Sequence, residues 1–246
     1  MIAALLWALE AAATLGVCGS ETLGRTATNW AREWGEREPE IAVETHFPGS
    51  GTSLASLENG TCRVALLSRE PDATDILTAR MALRQVGWDE VVFFVHPSSR
   101  LHSLPLSELR RLLAHPSASL PWHIYGRNEL SGTHAWVRNR LLGGELFASQ
   151  VRKLPGPQGV VRAVAIDPQG LGYASRDALH GEVRMLRLTD AQGMPVHLLR
   201  PLFLARHRDD ALAARFESYA LSPRGQALLS QDGLLPVASL SAEAQP

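Results

Sequence analysis

The sequence predicts an α/β protein built on a mainly parallel sheet. Two observations carry that expectation. Short apolar runs alternate with helical patterns along the whole chain, the order that strand–helix–strand units produce. Three of those runs also lead into small, hydroxyl-rich segments that open the next helix: Gly19-Ser20-Glu21-Thr22-Leu23, Pro48-Gly49-Ser50-Gly51-Thr52 and Leu130-Ser131-Gly132-Thr133. The tripeptide Ser-Gly-Thr thus occurs twice, at 50–52 and 131–133.

The elements follow in order. Residues 15–18 form a first strand, and a helix runs over 22–35 with Leu23, Ala27, Trp30 and Trp34 on one face. Trp30 and Trp34 are read as core. Residues 41–47 alternate as a strand that delivers the chain to the first Ser-Gly-Thr and a short helix. Asn59-Gly60 is a turn, 63–67 a strand ending at Ser68, and 73–84 a helix. An apolar strand over 91–95 is stopped by Pro97, and Pro105 and Ser107 open a helix reaching Leu113. The strand at 122–126 feeds the second Ser-Gly-Thr and a helix to Leu142. A helix at 158–166 precedes strands at 171–174, 183–188 and 201–205, with a turn at 190–193. Helices at 209–220 and from Ser222-Pro223 to Leu229 close the chain, the latter with Pro at its first position.

Bulk properties narrow the function. The 246 residues are 45% hydrophobic and 20% charged, an ordinary globular balance. With 24 basic and 25 acidic residues the net charge is −1 and no basic run appears, which argues against nucleic acid as a partner. The nine histidines are scattered without metal spacing or paired carboxylates. His96 and His134 are read as surface or packing residues. Residues 1–13 form a signal-like segment ending in Ala11-Ala12-Ala13, without a basic start and too short to cross a membrane. Val17 just before Cys18 argues against lipidation. Cys18 and Cys62 are read as small buried apolar side chains, with one disulfide in an oxidising compartment as the alternative.

The hydroxyl-rich helix starts point to anion chemistry. The first turn of a helix leaves N–H groups without partners, and the helix dipole favours negative charge there. Arg127 stands four residues before the second Ser-Gly-Thr, and a planar guanidinium grips a tetrahedral oxyanion through two bonds. A Ser or Thr at such a position also simply caps a helix; the arginine beside it distinguishes the second loop.

These residues resemble the type II periplasmic binding proteins, specifically the phosphate-binding component of phosphate ABC transporters. The resemblance runs from about Gly16 to Val237, and Gly126-Arg127-Asn128-Glu129-Leu130-Ser131-Gly132-Thr133 carries most of it. Supporting pieces are Gly19–Leu23, Gly49–Thr52, Ala65-Leu66-Leu67-Ser68-Arg69-Glu70, Leu171-Gly172-Tyr173 and Leu221–Ala227. The resemblance implies two α/β lobes, 14–92 with 200–246 and 93–199, joined by two crossing strands. It implies a binding protein without cofactor, metal or catalytic residues. Inorganic phosphate or a similar oxyanion would be the ligand and an ABC transporter permease the partner. A monomer outside the cytoplasmic membrane is the expected form, with a cytoplasmic location left open. Carried over by motif, the ligand set is Thr22, Leu23, Ser50, Arg127, Ser131, Gly132 and Thr133. Ser20, Gly51, Thr52, Ser68 and Arg69 complete the candidate site. A sensor of the same fold without a transport role is the alternative, and an enzyme is the third.

Two positions depart from the family. Where it often has an aspartate after the third strand's serine, this chain has Arg69 followed by Glu70. Either Arg69 enters the cleft and weakens discrimination against sulfate, or it faces solvent and Glu70 becomes the proton acceptor; its place directly after Ser68 favours the cleft. Leu130 replaces a small residue, which suggests a tighter, drier loop.

Overall fold

The computed structural model describes residues 13–73, 75, 77–115 and 121–239. The signal-like segment, apart from Ala13, lies outside them. In chain order the strands and helices are β1 (Ala13–Gly19), α1 (Gly24–Gly35), β2 (Ile41–His46), α2 (Ser53–Glu58), β3 (Val64–Leu67), β4 (Met81–Val95), β5 (Ser103–Pro105), α3 (Leu106–Ala114), β6 (His123–Arg127) and α4 (Gly132–Leu141). There follow β7 (Arg152–Leu154), α5 (Pro157–Ala165), β8 (Gly170–Ser175), β9 (Arg184–Met185), β10 (Arg187–Thr189), β11 (Leu199–His207), α6 (Ala211–Leu221) and α7 (Pro223–Gln231).

One continuous sheet runs β2-β1-β3-β11-β4-β8-β6-β7, with β9 alongside β4. At each end the strands are parallel: β1 with β2 and β3, and β6 with β7 and β8. The centre is antiparallel. There β11 lies between β3 and β4, and β4 changes partner along its length. Its residues 81–90 pair with β11, and 91–95 pair with β8. Strand β4 therefore passes from one half of the molecule into the other. Parallel strands need helical crossovers that cover the sheet faces, and the helices provide them.

The packing separates in the same place. One core joins Leu15, Leu23, Trp30, Trp34 and Val64 to Leu202, Phe216 and Leu229. Another joins Val91, Phe93, Leu109, Trp136 and Val137 to Tyr173 and Leu198. The α1 face is buried as its spacing predicts: Trp30 is fully enclosed, and its indole N–H donates to the Gly225 carbonyl at 2.8 Å. Trp34 meets Phe216 edge to face at 5.6 Å. Burial of such aromatic surface is worth about 25 cal/mol per Å² removed from water.

Three expectations need correction. No helix spans 73–84. Its last four residues, 81–84, are the start of β4, where pairing with β11 outweighs the local helical pattern, and Asp75 N–H donates to the Asp72 carbonyl at 3.0 Å. The expected strand at 183–188 is split, β9 pairing with β4 and β10 with β5. Cys18 and Cys62 are joined in a disulfide, with Cα atoms 5.9 Å apart, that ties the end of β1 to the approach to β3. The alternative reading of the cysteines holds. Among the described residues no helix is long and apolar enough to cross a membrane, and no cluster of His, Cys, Asp and Glu is arranged to hold a metal.

Candidate anion-binding site

The ends of β1 and β6 converge with the starts of three helices around a cavity of about 180 Å³. Glu21, Thr22 and Arg25 come from the start of α1, Arg127 from the end of β6 and Thr133 from α4. Pro157 and Gln158 come from α5, and Ser175 and Asp177 from the end of β8. Neither α1 nor α5 has a side chain bonded to its first N–H groups, whereas Ser131 caps α4 by accepting from His134 N–H. Two helix starts without a side-chain cap and a positive dipole end at each of three make the cavity favourable to an anion.

Arg127 is buried, with 3% of its surface exposed. One Nη donates to the Glu21 carboxylate, while Nε is enclosed and has no partner. A buried guanidinium N–H without an acceptor is costly. Ser20 Oγ is likewise buried without a partner at the neighbouring loop.

Behind this wall lies a second arginine that sequence reading did not single out. Arg200, on β11, is fully enclosed. Its Nε and Nη2 face Asp89 Oδ2 at 2.7 and 2.6 Å. Its Nη1 donates to the Ser68 carbonyl at 3.1 Å and Thr133 Oγ1 at 2.9 Å, and Nη2 donates to Thr22 Oγ1 at 2.9 Å. Every nitrogen of the guanidinium is thereby engaged by protein atoms. Thr22 and Thr133 accept from it, so their own O–H protons are free to donate elsewhere. Nothing in the local sequence of β11 marks Arg200 for this role. Its partners come from loops 67 and 178 residues away in the chain.

The two Ser-Gly-Thr loops meet directly. Gly51 N–H donates to the Leu130 carbonyl at 3.0 Å. Gly49, with φ of +125°, brings its backbone so close to that carbonyl that a side chain there would collide with it. A Cβ on Gly132 would strike the Oγ atoms of both Ser50 and Ser68. Those hydroxyls lie 3.2 Å apart, and Ser68 N–H donates to Ser50 Oγ at 3.0 Å. Leu130 itself is 45% exposed, so the loop is tight through its backbone and its side chain does not dry the site.

Of the candidate residues, Thr22, Arg127 and Thr133 line the cavity. Ser50, Ser68, Ser131 and Gly132 gather at the start of α4 beside it. Leu23 is packed in the core, Gly51 N–H is taken by Leu130, and Thr52 is half-buried at the start of α2 with no capping bond. The expected entry of Arg69 into the cleft is corrected. Arg69 grips Asp75 through two bonds of 2.5 and 2.9 Å and has Asp72 at 3.7 Å, so its charge is held away from the cavity. Glu70 does not take its place; it is exposed and lines a separate hollow with Trp88, Trp136 and Arg140. His134 packs on the Phe147 ring at 4.6 Å, and burial pushes its pKa down to about 4, which keeps it neutral.

With the geometry in place, the comparisons are informative. A family model described as the PBP superfamily domain matches residues 8–191. Phosphate-binding protein PstS of Pseudomonas aeruginosa is 23% identical over 273 residues, an alignment covering 93% of this chain and 84% of that protein. A Clostridium perfringens protein crystallised with bound phosphate superimposes with a TM-score of 0.80 at 15% identity, over 91% of this chain and 99% of its own. An ABC-type phosphate transport receptor from Vibrio cholerae gives 0.76 at 16% identity, over 91% of this chain and all of the other.

Proposed function

Because the chain belongs to the PBP superfamily, we propose that it binds inorganic phosphate, or an oxyanion of the same tetrahedral shape, between its two halves. One observation carries the reading. The buried Arg127 lines the cavity with an Nε–H that has no partner, together with Thr22 and Thr133, whose oxygens accept from Arg200 and leave their own protons free. Such a set of donors, with helix starts behind it, suits an acceptor-rich anion and leaves an apolar or cationic ligand unpaired.

In this reading Arg127 supplies the bidentate charge, while Thr22, Thr133, Ser50 and Ser131 supply hydroxyls. The first-turn amides of α4, starting at Gly132, and the Leu23 amide complete the shell. Arg200 has every guanidinium nitrogen engaged by protein atoms and therefore acts as a brace, fixing the orientation of both threonines. The lobes are residues 14–92 with 200–246 and residues 93–199, hinged on β4 and β11. Delivery to an ABC transporter permease by a monomeric protein outside the cytoplasmic membrane fits the P. aeruginosa relative's printed role of phosphate binding. The Cys18–Cys62 bond is at home in an oxidising compartment. The chain is read as a binding protein and not an enzyme, in line with the phosphate-binding relative it resembles.

The test is calorimetric titration of ligand-stripped protein with phosphate, arsenate, sulfate and molybdate. Saturable binding with phosphate among the tightest is the expected result. Absence of binding for all four would overturn the reading.

A further inference from the structure

The carboxyl groups at the rim of the cavity hold a proton count that the hydrogen bonds themselves reveal. Ser175 Oγ contacts two carboxyl oxygens at once, Asp89 Oδ1 at 2.6 Å and Asp177 Oδ1. A hydroxyl has one proton, so it can donate to only one of them. If both carboxyls were ionised, the other contact would press an oxygen lone pair against a charged oxygen in a buried place. A proton on one of the two removes that clash. Asp89 is the carboxylate, because its Oδ2 faces both Nε and Nη2 of the enclosed Arg200. The relay then reads from Asp177 O–H to Ser175 Oγ, and from Ser175 O–H to Asp89.

Asp177 also lines the cavity, as do Arg127, Thr22 and Thr133. We propose that Asp177 is a specificity-determining residue of the anion site, neutral while the anion is bound and repelling it once the proton is lost. This rests on reading the cavity as a phosphate site. An ionised Asp177 would set a second carboxylate, beside Glu21, against the anion. A neutral one leaves the donors of Arg127 and the helix starts unopposed. Anion binding is thereby tied to proton uptake by the protein.

The surroundings agree. The enclosure of Asp177 and the charge of Asp89 push its carboxyl above the usual range, against the lowering pull of Ser175, Arg200 and Arg25. The charged groups that act on it are Asp89 on β4, Arg200 on β11 and Arg25 at the start of α1, and Arg127 on β6 and Glu21 before α1 line the same cavity. Arg176, its chain neighbour, is turned to Glu90 of β4. A Cβ on Gly233, in the turn after α7, would only reach ordinary contact with Asp177, and the carboxylate of Asp232 beside it is taken by Thr26 and Asn29.

Two measurements test this on the full chain. The first is the pH titration of aspartate side-chain carbons by NMR in ligand-free protein, with the Asp177 signal identified by its loss in Asp177→Asn. It should titrate above the ordinary aspartate value of about 3.9. The second is the inorganic phosphate Kd of wild type divided by that of Asp177→Asn, followed from about pH 5 to pH 9; phosphate's own titration cancels in the ratio. The ratio should climb by up to tenfold per pH unit above the Asp177 midpoint. A signal at the ordinary aspartate position, or a ratio flat across the range, would overturn the proposal. A wild type that binds no phosphate would instead overturn the ligand assignment, and the ligand-free titration would still decide whether Asp177 holds the proton.

Discussion

At residues 50–52 the helix begins after the tripeptide, at Ser53, whereas at 131–133 it begins inside it, at Gly132. The two copies of Ser-Gly-Thr consequently do different things. Helix α2 is six residues long, and Thr52 sits at its cap, half-buried and making no cap bond. Helix α4 is ten residues long, and Thr133 sits in its first turn, buried, with its hydroxyl oxygen on Arg200. Gly51 spends its N–H on Leu130, so the first loop acts as the floor on which the second rests. What separates them is the group behind the loop. An enclosed, fully bonded arginine turns one threonine into an oriented donor, and no such group stands behind the other. A short motif sets the chemistry that is available, and its long-range partners decide whether that chemistry is used.

The sharpest way to break this comparison is to remove the brace. Arg200→Met leaves Asp89, 1% exposed at its side chain, without its guanidinium. Loss of one partner from a buried pair costs about 3–5 kcal/mol, and denaturant unfolding should show a fall of that size. A loss under about 1 kcal/mol would mean that the pair does not organise the site. A smaller effect should separate the loops themselves. Thr133→Val removes an acceptor from a buried Arg200 donor and should cost about 1–3 kcal/mol in the same assay. Thr52→Val should stay within about 0.5 kcal/mol, as surface substitutions do. Equal losses at the two threonines would contradict the distinction.

Much of the architecture was legible because it rests on local pattern. The α1 face, the Ser222-Pro223 helix start and the Arg127 loop are short-range signals, and the structure places them where their spacing puts them. The misreadings have a common cause. Residues 81–84 look helical alone but are claimed by β11, more than 100 residues later in the chain. Arg69 stands at a strand end like Arg127, and only the turn that brings Asp75 onto it shows that its charge is already neutralised. The third helix start at the cavity is α5, opened by Gly156-Pro157, which carries no hydroxyl at its cap and so gives no capping signal. Asp177 and Arg200 were invisible for the same reason: each matters through partners that the fold alone assembles.

The central claim is that Arg127 and the second loop hold the anion, whereas Thr52 of the first loop takes no part. Phosphate titration of Arg127→Ala beside Thr52→Val, both against wild type, tests it most directly. The account predicts that Arg127→Ala weakens binding by about 2–5 kcal/mol, roughly thirtyfold to several thousandfold, and that Thr52→Val changes Kd by less than about threefold. An Arg127→Ala protein that binds phosphate as wild type does, or a Thr52→Val protein that loses as much as Arg127→Ala, would contradict it.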